Sequence, residues 1–426
     1  MEAAEIALNA VGKQDTHLTR ADPDHSLFAY RGAQRHANFT KFHRSTNITN
    51  PGLKATWPFG ETIKVTMYPK TMGDLLSNMY VHLKFPRLTA GSHLADQLGR
   101  HLLASVTMRV DELEVEKFHD DWGIIYDELY LDASEKRTKR YTMNRNLAED
   151  TSLLEPNQFL VQYDSELMIP VPLFFSRKYE GDEYATNLPN RPYFPTCAVH
   201  RQKIEFELVF RPQSFFTDTP DVLSLEGFDI ITEEMTVSPM ERTFLKTTRQ
   251  TLITDIVKKH PTVQTVPGND KIRLELVPNV PVKTLNWFLR DGAYENESVF
   301  SGGQDLLSNA FANRFTFSNV LTSAKIFVNG QDLPNVPTAD HTFFKYLVPL
   351  TCRLSRPFRD IYTYAFSMYP INVEPSGSLD FSRLQSNRTV LDVTLRPGTT
   401  ETYTLHLYYV GYQTFVFDQG FRSLAY

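Results

Sequence analysis

Apolar and polar residues alternate at period two along most of this chain, and that pattern restricts its fold more than any other feature. Side chains on a strand point to opposite faces in turn, so alternation marks a strand with one face buried and one wet. Ile63, Val65 and Met67 alternate with Thr62, Lys64 and Thr66. Met79, Val81, Leu83 and Phe85 alternate with Asn78, Tyr80, His82 and Lys84. Ile204, Phe206, Leu208 and Phe210 form a stripe against Glu205 and Glu207, and Ile272, Leu274 and Leu276 do the same against Arg273 and Glu275. A chain written this way predicts an all-β protein of sandwiches or barrels.

The turns agree. Val106, Met108 and Val110 lead into Asp111-Glu112, with Leu113 and Val115 leading out, as in a hairpin. Ala324, Ile326 and Val328 run into Asn329-Gly330, the strongest short hairpin signal because both residues tolerate positive φ. Leu391, Val393 and Leu395 run into Arg396-Pro397-Gly398, and Tyr403, Leu405, Leu407 and Tyr409 come back out, which predicts a further hairpin. Helices are few. Ser238-Pro239-Met240-Glu241 has a capping serine, proline at the first helical position and glutamate at the third, opening a helix toward Lys246. Trp122, Ile125, Tyr126 and Leu129 predict a helix from Asp121 to about Lys136, and Gln304 to about Asn313 is a third candidate.

The chain of 426 residues is long enough for more than one domain. Its best division lies between Arg211 and Ser238, giving halves each the size of one decorated jelly roll. The expected layout is an N-terminal arm at 1–24, a first jelly roll at 25–215, a linker at 216–237 and a second jelly roll at 238–426. Thr254 to Lys271 reads as a polar loop. No residue-level repeat is visible, so the duplication rests on layout.

Composition narrows the function. The formal net charge is −6, and the densest basic cluster, Lys136-Arg137-Thr138-Lys139-Arg140, reads as a solvated loop, so direct binding of nucleic acid is not expected. Cys197 and Cys352 make no metal or redox spacing and read as buried thiols in a reducing compartment. Met1 to Val11 lacks the marks of a signal peptide, and no run reaches the ~18 apolar residues of a membrane span. The twelve histidines contain neither HxH nor HExxH, so no metal site is expected. Asp120-Asp121 and Glu233-Glu234 are adjacent pairs, unsuited to face each other across a cleft as glycoside hydrolysis requires. No nucleophile elbow, P-loop or dinucleotide fingerprint occurs, and Gly302-Gly303 stands alone. The expectation is no catalytic residue, no metal and no cofactor. Four sequons occur, at Asn38, Asn47, Asn296 and Asn387, and Asn296, in a polar loop, is the one best placed for glycosylation.

One stretch is more specific than any of these. Pro375-Ser376-Gly377-Ser378-Leu379-Asp380-Phe381-Ser382-Arg383 reads as a turn, with Pro375 at its second position and Gly377 at its fourth, handing over to a strand. Leu379, Phe381 and Arg383 would share one face of that strand, which would bury Arg383 against a carboxylate or several carbonyls. The alternative is a bulge after Phe381 that turns Arg383 to solvent. The wording resembles the C-terminal signature of the major capsid proteins of large icosahedral double-stranded DNA viruses. Other blocks follow in the same order. They are 12–19 with Asp22-Pro23 and 35–40, Ser105 to Lys117 with Asp121-Trp122, Leu167 to Arg177, Asn286-Trp287, Ala324 to Asp332, and Leu424-Ala425-Tyr426. They are similar to the capsid proteins of chloroviruses, iridoviruses and their relatives. Leu379-Asp380, Gln385-Ser386 and Ala37 depart from the pattern and mark a divergent member or a minor-capsomer paralogue.

The resemblance implies two consecutive jelly rolls, a homotrimer of pseudo-hexagonal outline, and tiling into an icosahedral shell. Partners would be neighbouring capsomers, minor capsid proteins and the internal membrane beneath the shell. The location would be the virion, with assembly in the host cytoplasm. The alternatives are a minor capsid or penton subunit, and a carbohydrate-binding or carbohydrate-active tandem β-sandwich, which composition alone allows.

Overall fold

The computed structural model of the chain describes residues 39–85, 98–143, 165–179, 192–216, 224–295, 315–336, 339–372, 374–384, 388–398 and 400–424. Among the described residues, the first half contributes eight strands: β1 (Thr40–Asn47), β2 (Thr62–Met67), β3 (Leu75–Phe85), β4 (Leu103–Val110), β5 (Leu113–His119), β6 (Ser165–Pro170), β7 (Ile204–Phe210) and β8 (Gly227–Thr236). One antiparallel sheet runs β1-β8-β3-β6 and the other β2-β7-β4-β5. The alternating residues do what the pattern predicts: Val81, Leu83, Phe85, Phe206 and Leu208 are fully buried, while Lys64 and Glu207 meet on the wet face.

The second half contributes β9 (Gln250–Lys259), β10 (Val263–Gln264), β11 (Lys271–Glu275), β12 (Pro281–Asp291), β13 (Leu321–Val328), β14 (Gln331–Leu333), β15 (Tyr362–Ala365), β16 (Leu379–Asp380), β17 (Val390–Leu395), β18 (Tyr403–Asp418) and β19 (Phe421–Leu424). One sheet runs β10-β18-β12-β15, with β9 and β19 also on β18 and β16 on β12, and the other runs β11-β17-β13-β14. In both halves the opening strand (β1, β9) pairs with a long late strand (β8, β18), that strand pairs in turn with β3 or β12, and a hairpin (β4–β5, β13–β14) ends the facing sheet. This is the same jelly-roll connectivity twice, a double jelly roll.

Antiparallel pairing throughout puts the connections at two poles. Among the described residues, the upper pole of the first jelly roll holds 48–61, 98–102, 120–143, 211–216 and 224–226; the lower holds 68–74, 111–112, 171–179 and 192–203. The two jelly rolls stand side by side with the same polarity. At the upper pole Asp121 meets Arg290; at the lower pole the Arg201 N–H donates to the Gly420 carbonyl and the Arg422 N–H to Gln202.

Several expectations require correction. The expected linker 216–237 contains β8, which lies between β1 and β3 in the centre of a sheet. Its alternation ends at Glu233-Glu234, and those charges disguised it. The expected loop from Thr254 to Lys271 contains most of β9 and all of β10. Thr254 and Asp255 are buried because the neighbouring jelly roll covers them. Arg396-Pro397-Gly398 does not turn a hairpin, since β17 and β18 belong to different sheets and the chain crosses between them. The C-terminal hairpin is instead β18–β19, turned by Gln419 and Gly420 with φ of +49° and +91°.

The helix expected from Asp121 to Lys136 is two helices. After a short α1 (Leu98–Leu102), α2 spans Asp120–Tyr130 and α3 spans Ala133–Met143. The break comes from a reciprocal cap. The Glu135 N–H donates to Asp132 Oδ1 at 2.8 Å and the Asp132 N–H to Glu135 Oε2 at 2.9 Å, which starts a new helix at Ala133. The basic cluster 136–140 therefore lies on α3, not in a loop. Lys139 turns inward to Asp127 Oδ1 at 2.5 Å, and burial pushes its amine down to about 8. The helix α4 (Pro239–Thr247) forms as capped, with Ser238 Oγ accepting from the Glu241 N–H at 3.3 Å. The arm at 1–24, the helix candidate at 304–313, Gly302-Gly303 and the sequons Asn38, Asn296 and Asn387 lie outside the described residues.

Candidate functional site

The signature segment sits at the lower pole between β15 and β17. It does not form the expected turn at Pro375; residues 375–378 run without regular structure back along 366–369. Ser376 fastens them: its Oγ accepts the Tyr369 N–H at 2.9 Å and donates to the Tyr369 carbonyl at 3.1 Å. Its carbonyl accepts the Met368 N–H at 3.2 Å, and its own N–H donates to the Tyr412 hydroxyl at 3.3 Å. Gly377 has φ +125°, and a Cβ there would stand 3.1 Å from the Phe366 carbonyl oxygen, so both conformation and space call for glycine.

Beyond it, only Leu379 and Asp380 are strand, paired with Val282 and Pro281. Phe381 is buried edge-on against Phe366, ring centroids 5.8 Å apart. The chain then leaves the strand. Phe381–Arg383 is a single 3-10 turn capped by Asp380, whose Oδ1 accepts from the Ser382 N–H at 3.1 Å and the Ser382 hydroxyl at 2.6 Å. Those bonds, with a smaller contribution from Arg383, hold the Asp380 carboxyl below the usual range. The cap ends the alternation that would have put Arg383 beside Phe381. Its side chain is 86% exposed, with Nε 3.1 Å from Asp380 Oδ2, so the expected buried arginine clamp is overturned. Asn329 and Gly330, with φ of +50° and +87°, close the β13–β14 hairpin at the same pole.

The described residues hold a denser constellation that the sequence reading passed over. It fills the seam between the jelly rolls. Glu116 of β5 and Arg177, just past β6, are both buried, and Arg177 Nη1 donates to Glu116 Oε1 at 2.6 Å. Glu116 also accepts the Phe174 N–H at 2.7 Å and, across the seam, the Val257 N–H of β9 at 2.9 Å. Arg177 reaches the Asp255 carbonyl with its other amine. The Asp255 carboxylate then pairs with Lys283 Nζ of β12 at 2.7 Å, in full burial. Burial pushes Glu116 and Asp255 up and Lys283 down, each opposed by its ionic partner. Burial also works against charge on Arg177, but the Glu116 carboxylate prevails and holds the guanidinium firmly protonated.

A second set lies nearer the upper pole. Asp121, in the first turn of α2, accepts from Arg290 Nη2 of β12 at 2.5 Å and from the Tyr408 hydroxyl of β18 at 3.3 Å. Arg290 also meets Glu295, which bonds His406 at 2.5 Å. The sequence did carry a signal: single charges inside apolar strand runs, Asp255 in Leu252 to Val257 and Lys283 in Val282 to Leu285. A lone charge in such a run must meet a partner.

Two family models match the sequence. One, described as large eukaryotic DNA virus major capsid protein, covers residues 241–409; the other, major capsid protein N-terminus, covers 27–238. The chain belongs to the major capsid proteins of large eukaryotic DNA viruses. The two matched stretches adjoin at the first turn of α4. Among its relatives are the major capsid proteins of Pyramimonas orientalis virus and of Paramecium bursaria Chlorella virus 1. Each is 23% identical, over 99% and 98% of this chain respectively and 98% of each relative. The fold matches the quasi-atomic model of the PBCV-1 virus capsid, with TM-score 0.71 and 17% identity over 92% of this chain and 98% of that one. It also matches the Faustovirus major capsid protein, with TM-score 0.63 and 11% identity over 97% and 96%.

The acidic pairs of this capsid protein serve structure. Asp120 binds Arg211 and Asp121 binds Arg290, while Glu233 takes Lys41 at 2.7 Å and Glu234 takes Arg44 at 3.2 Å. Among the described residues, no group of three or more His, Cys, Asp and Glu is placed to hold a metal ion. Cys197 and Cys352 are buried and unbonded to each other, and burial pushes the Cys197 thiol up to about 11. Asn47 ends β1 with its side-chain amide donating to Asp229 at 3.1 Å.

Proposed function

We propose that this capsid protein forms homotrimeric capsomers of pseudo-hexagonal outline that tile an icosahedral shell. The observation that carries the reading is the pairing of two jelly rolls of one connectivity, side by side and with one polarity, in a single chain. Three such chains around an axis supply six similar blocks, and six blocks fill a plane without gaps. The buried ionic seam supports it, because a tile must keep its two halves at one angle. We take the working units as 39–237 and 238–426, with 1–24 as an N-terminal arm. Neighbouring capsomers, minor capsid proteins and the membrane beneath the shell are the partners of this reading. Assembly in the host cytoplasm suits two buried, unpaired cysteines.

Native mass measurement and negative-stain imaging of the purified chain test it. The expected result is particles of about 150 kDa, three chains of 49.0 kDa, with a hexagonal outline. Monomers at all concentrations, or five-fold rings, overturn it.

A further inference from the structure

Helix α4 is built inside out. A surface helix ordinarily turns its apolar stripe to the core and its charges to water. Here Arg242 points inward: its Nε lies 2.7 Å from Asp74 Oδ1 and its Nη2 donates to Asp74 Oδ2 at 2.8 Å. Asp74 also accepts the Val237 N–H at 3.0 Å. Arg242 and Lys246 line a concavity of about 170 Å³ together with Lys70, Cys197 and His200. The outward face carries Met240 and Phe244, four residues apart and 86% and 55% exposed, and no residue of the helix is buried. Residues at that spacing lie one above the other and make a single apolar strip.

The chain itself brings a partner to this strip. Strand β1 begins at Thr40, whose register partner on β8 is Thr236, two residues before the Ser238 cap of α4. Residues 1–38 therefore join the structure beside the first turn of the helix, and Phe39 at that point is 57% exposed. Reach is not limiting. At about 1.5 Å per residue α4 is about 14 Å long, and ten extended residues cover roughly 33 Å. Chemistry also matches. Residues 1–24 hold Ile6, Leu8 and Val11, and five acids (Glu2, Glu5, Asp15, Asp22, Asp24) against two bases (Lys13, Arg20), a net charge of −3. The ground around α4 is basic, with Lys70 and Lys246 lining the concavity and Arg249 just beyond the helix.

We propose that Met240 and Phe244 are the seat of the chain's own N-terminal segment, residues 1–24, with Ile6, Leu8 and Val11 covering the strip. A tether this short holds the segment at millimolar effective concentration, enough for a small apolar contact to form. The contact is intrachain, so it forms in an isolated subunit and does not depend on trimer assembly.

The test uses the full chain, a variant lacking residues 1–24, and two substitutions on the exposed strip where folding is not at stake. With Phe244→Cys, maleimide labelling is expected to be about tenfold slower in the full chain than in the truncated one; both native thiols are buried. With Met240→Glu and Phe244→Glu together, tryptic cleavage at Lys13 and Arg20 is expected to speed up about tenfold, with native fluorescence unchanged. Equal labelling rates, or unchanged cleavage, overturn the proposal. Protection that vanishes on dilution to monomer assigns the strip to a second copy, and protection that appears only with anionic phospholipid vesicles assigns it to a lipid surface; either overturns it too.

Discussion

Replacing Arg177 by methionine tests the ionic seam most directly. Glu116 and Arg177 are only 3% and 4% exposed, so the substitution leaves a carboxylate buried without its cation. Losing one partner of such a pair costs about 3–5 kcal/mol, because the remaining charge keeps its desolvation penalty and loses its compensation. For a cooperative unit of about 200 residues that is a fall in melting temperature of roughly 6–20 °C. Urea unfolding followed by tryptophan fluorescence reads it well, since Trp122 lies at the seam against Tyr408 with rings 6.1 Å apart.

Two controls separate the charge effect from simple loss of packing. In the double variant Glu116→Gln with Arg177→Met, the side chain carries no charge, and its one amide oxygen still accepts from one of the Phe174 and Val257 N–H groups, which the carboxylate takes on separate oxygens. It should recover about 1 kcal/mol or more of the single variant's loss. The loss should also depend on pH. Burial already raises Glu116 above its ordinary 4.5, and without Arg177 it rises further. A carboxyl with a raised folded-state pKa contributes stability that is present below its unfolded value and lost as pH rises through the folded one. The Arg177→Met deficit should therefore be larger at pH 8 than at pH 5. A deficit under about 1 kcal/mol, a double variant no better than the single, or a deficit independent of pH each refutes the account.

Three further outcomes follow from particular residues. His119 is pushed down to about 4 by burial, with Lys259 and Lys117 adding to the effect, so stability tied to it is intact above 6.5, declines as pH falls, and is gone below about 4. The loss is about 3 kcal/mol, and in His119→Gln the acid limb of a stability–pH curve should flatten by that amount, while His406 and His260, both also lowered by burial, leave a smaller residual slope. Gly377→Ala should cost about 2–3 kcal/mol in urea unfolding, against about 1 kcal/mol for Gly330→Ala, because both have positive φ but only Gly377 has backbone within reach of a Cβ. Arg383→Ala should leave both melting temperature and trimer yield unchanged, since its guanidinium is in water; a clear drop in either would restore a structural role for it.

Local chemistry made a good part of this protein legible. Period-two alternation from Thr62 to Met67 and from Ile204 to Phe210 requires strands with one dry face, and both are paired strands with that face inward. Ser238, Pro239 and Glu241 specify a helix start within four residues, and Asn329-Gly330 specifies a hairpin within two. The reciprocal cap at Asp132 and Glu135 is equally local, but the apolar spacing of α2 runs on past it and masks it. The ordered capsid blocks pointed to the family.

What the sequence determined by itself is thus the alternating strands, the hairpin turns at Asp111-Glu112 and Asn329-Gly330, the all-β class and the family, since each depends on neighbours a few residues apart. Strand partners and the use of charged residues depend on contacts between segments hundreds of residues apart, and only the tertiary structure decided them. Glu233-Glu234 looked like loop chemistry until β1 and β3 enclosed them, and Asp255 looked solvated until the first jelly roll brought Arg177 to its carbonyl. Arg383 went the other way, freed by a single aspartate that capped a turn where alternation foretold a buried strand. Helix α4 reads as an ordinary capped helix in sequence; that its apolar face looks outward follows only from Asp74, 168 residues before Arg242 in the chain, holding that arginine underneath.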